Sequence, residues 1–199
     1  AWERCALVDP DDLDVGEIAE AIEATGDRGL VTAAVGELFT SFLASSLEGG
    51  ASRALLALAD SPGELAGLRD RYAANLAGAA TAVVERAGAE AVFLNSGYTQ
   101  IPVVSPSMYR EWDAPVLRAV CAAAHARGAS VHLHNHGPIL PILPDIVDAG
   151  IDVVCGLFSP PAGDVADLAA LAAEASRLSA ARGRRPPTLK GMVDPFGAL

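Results

Sequence analysis

Cysteine is scarce in this chain. Cys5, Cys121 and Cys155 are three scattered residues in 199, an odd number without close pairs. That excludes a disulfide framework and fits a reducing compartment, so a cytoplasmic protein is expected. Basic residues are scarce as well. Lysine and arginine total 14 against 25 acidic residues, for a formal net charge of -11. Nucleic-acid binding through phosphates needs a basic face, and none is offered. The cluster Arg182, Arg184 and Arg185 reads as a solvated loop. No apolar run approaches the ~18 residues of a membrane span, so none is expected, nor is a cleavable signal segment.

What the chain does have is apolar mass. It is 51% hydrophobic, ample for one core, and a single domain over residues 1–199 is expected. Five short apolar runs read as strands buried on both faces: Leu30 to Val35, Ala91 to Leu94, Ser130 to His136, Ile151 to Leu157 and Thr188 to Val193. Cys5 to Val8 is a candidate sixth. Helical stripes lie between them. Leu65, Leu68, Tyr72, Leu76, Ala79 and Val83 recur at three- and four-residue steps, as do Leu117, Val120, Cys121 and Ala124. Further helices are expected within Leu140 to Ala149 and over Asp164 to Arg182. Gly88, Gly128 and Gly150 each stop a helix just before a strand. Helix, glycine turn and strand entry repeat, which is the rhythm of successive βα units around a parallel sheet.

In such folds ligands bind at the carboxyl ends of the strands. Those ends read Gly36-Glu37, Asn95-Ser96-Gly97-Tyr98, His134-Asn135-His136, Cys155 and Asp194. Three of the four histidines alternate, at positions 132, 134 and 136. On an extended strand they share one face, with Val131 and Leu133 on the other. Neutral imidazole is a common metal ligand, so a metal site is one reading. A hydrogen-bonded polar layer at a strand end is the other.

The remaining candidates also carry two readings. Glu37 is a ligand or general base, or a salt-bridged rim carboxylate. Cys155 reaches the mouth of the sheet or fills the core. Tyr98 orients a substrate or packs. Asp194 caps a helix or supports a metal-bound histidine. His125 complements a helix dipole at the surface, while Cys121 and Trp112 read as packing.

Several segments resemble the uroporphyrinogen decarboxylase superfamily. Val35-Gly36-Glu37-Leu38-Phe39-Thr40 is similar to its Gly-Pro-Phe-Thr turn. Val104-Ser105-Pro106-Ser107-Met108-Tyr109-Arg110-Glu111-Trp112 is similar to its Ser-Pro segment, and His132 to Gly137 to the His-x-Cys-Gly strand of its zinc-dependent branch. Ala149-Gly150-Ile151-Asp152 follows, and then Lys190-Gly191-Met192-Val193-Asp194-Pro195, which resembles the family's Gly-Asn-x-Asp-Pro strand. The resemblance implies an α/β fold, a (β/α)8 TIM barrel. By comparison this chain is the middle portion, without the first and last barrel elements. An incomplete barrel exposes two edges, so an open sheet or a partner chain, such as a homodimer mate, is expected.

The family contains metal-free decarboxylases of tetrapyrrole biosynthesis and corrinoid-dependent methyltransferases. The latter hold zinc through His-x-Cys and a later cysteine, and zinc activates a thiol acceptor. Here His134 matches the family histidine, and His136 stands where that branch has cysteine. The expectation is a methyltransferase-like enzyme with zinc on His134 and His136, completed by Cys155, by Glu37 or by the family's later cysteine, expected beyond Leu199, and a corrinoid, free or protein-borne, as donor. Glu37 and Tyr98 are its expected catalytic residues. Asn95, Tyr98, His132 and Asp194 are expected to contact substrate. The alternatives are a metal-free decarboxylase and a non-catalytic corrinoid or tetrapyrrole binder.

Overall fold

A computed structural model describes residues 7–97 and 101–191. Tyr98, Asp194, Cys5 and the end of the last expected strand lie outside the described residues. Among those described, five strands form one sheet in the order β1-β2-β3-β4-β5, and every neighbouring pair is parallel. They are β1 (Thr32–Glu37), β2 (Ala91–Asn95), β3 (Ser130–His134), β4 (Val153–Leu157) and β5 (Thr188–Gly191). Sequence order and spatial order coincide. That is the winding of a (β/α)8 barrel rather than of a doubly wound sheet, where the order reverses.

The helices are α1 (Gly16–Thr25), α2 (Phe39–Ser46), α3 (Gly50–Asp60), α4 (Pro62–Ala87), α5 (Pro106–Met108), α6 (Ala114–His125), α7 (Leu143–Ala149) and α8 (Leu168–Ala180). A π-turn, Tyr109–Asp113, joins α5 to α6. Gly88, at φ 76°, ends α4 with Gly88 N–H on the Val84 carbonyl and Ala89 N–H on that of Val83. A residue with a β-carbon would be strained in this left-handed turn. Gly128 and Gly150 also have positive φ, so the repeated glycine punctuation is a repeated helix stop.

The core lies between the sheet and the helices. Val92, Leu94, Val131, Leu133 and Val154 are fully buried on the helical side, against partners such as Leu68, Leu117, Val120 and Ile146. The opposite, open face is only half-buried, and this corrects the expectation of strands buried on both faces. Phe93, His132, His134 and Cys155 lie there. Among the described residues, five strands do not close around that face.

Boundaries moved at the functional ends. β3 stops at His134 rather than His136. β1 begins at Thr32 rather than Leu30 and runs to Glu37 through a register shift between Ala34 and Gly36. β4 begins at Val153, two residues after the expected start. α8 starts at Leu168 rather than Asp164, because the Asp164 carboxylate is committed elsewhere. It accepts the N–H groups of Ile139 (2.8 Å) and Leu140 (3.0 Å), tying the loop after β3 to the loop after β4. Leu7 and Val8 are not strand.

Candidate functional site

The carboxyl ends of the strands align in one register row, Glu37–Asn95–His134–Cys155–Lys190. The row below it is Ala34–Phe93–His132–Val153–Thr188. Parallel pairing in register puts partners side by side on one face. Four of the sequence-selected residues therefore sit in the row, one each from β1, β2, β3 and β4.

His134 and Cys155 are in direct contact. The His134 Nδ1 lies 3.2 Å from the Cys155 Sγ. Burial, then the neighbouring His136, lower the His134 pKa, so this imidazole is neutral near pH 7. Burial raises the Cys155 thiol, and the Lys190 charge pulls it the other way. The His136 ring meets His134 edge-on, with centroids 4.4 Å apart, although it lies beyond the strand. Phe93 stacks on His134 (5.9 Å) and Phe158 on His136 (5.7 Å), so the imidazoles stand between two aromatic walls. His132 sits one layer lower, its Nε2 3.4 Å from the Ser130 hydroxyl.

The other candidates are placed apart. The Glu37 carboxylate accepts the Ser45 hydroxyl at 2.8 Å, on β1 rather than beside His134. Asn95 neighbours His134 in the row, and its Oδ1 is buried with no partner among the described residues. His125 closes α6 at the surface, its Nε2 2.8 Å from the Asp152 carboxylate. Trp112 is core, stacked on Phe39 at 6.0 Å beneath Arg69. Cys121 is core too, its thiol pushed by burial up to about 12.

Two residues that the sequence places at strand ends without a role hold the site together. Ser96 is fully buried and donates both its N–H (3.0 Å) and its hydroxyl (2.8 Å) to the His134 carbonyl. Asn135 is buried between the two histidines on the opposite face. Its N–H binds the Cys155 carbonyl at 3.0 Å and its Nδ2 the His136 carbonyl at 3.0 Å. The signal for Asn135 was a polar residue in register with apolar Val131 and Leu133. Gly156, at φ 78°, completes the junction, since a β-carbon there would lie 2.0 Å from the Asn135 carbonyl oxygen.

Among the described residues no three His, Cys, Asp or Glu side chains gather into a ready metal cluster. His134 and Cys155 do fit as two donors. Zinc bonds of ~2.0–2.1 Å to nitrogen and ~2.3 Å to sulfur, at tetrahedral angles, put the two atoms roughly 3.5 Å apart. The observed 3.2 Å is within a few tenths of that bite. A cleft of about 480 Å³, lined by Ile22, Asp27, Leu30 and Glu90, is at the amino ends of β1 and β2, away from this chemistry. No described helix is long and apolar enough to cross a membrane.

The family model described as uroporphyrinogen decarboxylase (URO-D) matches residues 2–196. No curated protein matches the chain. A match over nearly the whole length, together with a sequentially wound parallel sheet, shows that this chain belongs to the uroporphyrinogen decarboxylase family.

Proposed function

We propose that this protein is a metal-dependent methyltransferase, acting at the carboxyl ends of β2, β3 and β4 with a corrinoid donor and a small thiol-type acceptor. The observation that carries the reading is the contact between the His134 imidazole and the Cys155 thiol, 3.2 Å apart on adjacent strands. Nitrogen and sulfur together are the donor set of zinc. We assign the third position to His136, whose ring already touches that of His134. When bound, the metal supplies Lewis-acid activation of the acceptor.

The chain's own residues do the rest. His134 is neutral and ready to donate a lone pair, while the Cys155 thiol must release its proton on binding, which makes affinity rise with pH. Ser96 and Asn135 fix the strand end that carries both histidines. The unpaired Asn95 Oδ1 is an acceptor beside His134. A buried acceptor without a donor costs about 1–3 kcal/mol, and an N–H or O–H of the substrate relieves that cost. Phe93 and Phe158 narrow the access of water. Having two imidazoles where the methyltransferase branch has one leaves the site one negative charge poorer. A bound thiolate is then held more tightly and is less nucleophilic.

Metal-free decarboxylation of a polycarboxylated tetrapyrrole would call for several cations on this face. Among the described strand residues there is one, Lys190. The test is demethylation of methylcobalamin with 2-mercaptoethanol as acceptor, followed by absorbance, in zinc-loaded protein. Turnover is expected in wild type and a loss of at least about 100-fold in His134→Ala and Cys155→Ser, as for removal of a metal ligand. Equal rates in wild type and both variants would contradict the reading.

A further inference from the structure

The amino ends of the strands make up the end of the sheet opposite the candidate site, and its two flanks carry opposite charge. At the β1 and β2 flank lies the cleft of about 480 Å³, between the end of α1 and the turn after α4. Ile22 and Leu30 give it apolar walls, and Leu30 is 52% exposed. Asp27 and Glu90 line it as well. Arg28, next in sequence to Asp27, is folded back onto the carbonyls of Thr25 (3.2 Å) and Ala24. Across the sheet, ahead of β5, runs Arg182-Gly183-Arg184-Arg185. Arg182 is held by Asp148. Arg184 lies against Gly150, where a β-carbon would meet its Nη1 at 2.8 Å, and Arg185 is exposed. Among the described residues no ion pair engages Asp27, Glu90, Arg184 or Arg185.

We propose that two copies of this chain associate through this end of the sheet, with Arg185 of each copy entering the other's cleft between Asp27 and Glu90. A twofold axis along the sheet normal, placed at the amino end of β3, reverses the strand direction and exchanges the flanks. It sets the β5 flank of one copy against the β1 flank of the other, twice over. An isologous contact needs both complementary patches on one chain, and this chain carries both at the same end of one sheet. A guanidinium suits a carboxylate-lined cleft, and its aliphatic stem can lie on Ile22 and Leu30. The carboxyl-end mouth stays free on the outside of both copies, so the inference stands apart from the metal reading.

The test is analytical ultracentrifugation over a concentration series. Wild type is expected to show a monomer–dimer equilibrium that weakens as salt is raised. Glu90→Arg and Arg185→Glu, made singly, each set like charges against each other at both contacts. Each is expected to raise the dimer Kd about tenfold, because the symmetry counts every lost pair twice. The two single variants are then mixed. In the mixed pair one contact joins the two reversed residues and the other joins the two native ones, so heterodimers are expected at about the wild-type Kd. Circular dichroism checks that each variant is folded. A wild type that stays monomeric at every concentration would overturn the proposal. So would a dimer whose Kd the single reversals leave unchanged, or a mixture that dimerises no better than either variant alone.

Discussion

At the scale of single residues, two carboxylates are buried among the described residues, Asp113 completely and Asp145 nearly so. Asp113, at the end of the π-turn, is completely buried and accepts the Thr40 N–H at 2.9 Å and the Thr40 hydroxyl at 2.6 Å. It thereby satisfies the first turn of α2, directly after the end of β1. Burial pushes its pKa from 3.8 up to about 7, against the bonds from Thr40 and Phe39 that lower it. The folded state therefore holds a proton that the unfolded chain loses near pH 4. The associated stability is full below about pH 4 and falls as pH rises toward about 7. Thermal melts of wild type and Asp113→Asn across pH 4 to 8 check this. The wild-type Tm is expected to fall relative to the variant's through that window, and a constant difference would contradict it. Neither Asp113 nor its bond to Thr40 was legible in the sequence, because the two residues are 73 positions apart.

At the scale of elements, the site depends on how closely β4 approaches the end of β3. Gly156 follows Cys155 with φ 78°, and the Asn135 carbonyl occupies the space a β-carbon would need. Gly156→Ala must either push the strands apart or strain the backbone. It is expected to cost about 2–4 kcal/mol in urea unfolding, because clash and positive φ act together. An unchanged unfolding midpoint would show that the junction gives freely. The strands themselves were legible as apolar runs between glycine stops. Their last residues were not. The alternation of His132, His134 and His136 suggested one continuous strand, but β3 ends at His134 and the chain turns at Gly137, φ 71°. His136 still reaches His134 because the Asn135 N–H bond to the Cys155 carbonyl and the Phe158 ring hold the turn, long-range contacts that no local spacing encodes.

At the scale of the whole molecule, five parallel strands wound in sequence order bring residues from distant segments into one row. Glu37, Asn95, His134 and Cys155 could be named beforehand because strand carboxyl ends are where such folds place ligands. His134 and Cys155 were expected together as metal ligands, with Glu37 as another candidate third ligand. Register pairs His134 with Cys155 and leaves Glu37 with Ser45. The central claim is that this pair holds a soft divalent metal. Cobalt(II) titration of the protein, read by absorption spectroscopy, tests it most directly, because thiolate and imidazole ligation leave separate signatures. One cobalt per chain is expected, with a thiolate-to-cobalt charge-transfer band that disappears in Cys155→Ser and ligand-field bands that weaken in His134→Ala. Absence of stoichiometric binding, or a charge-transfer band unchanged in Cys155→Ser, would contradict the claim.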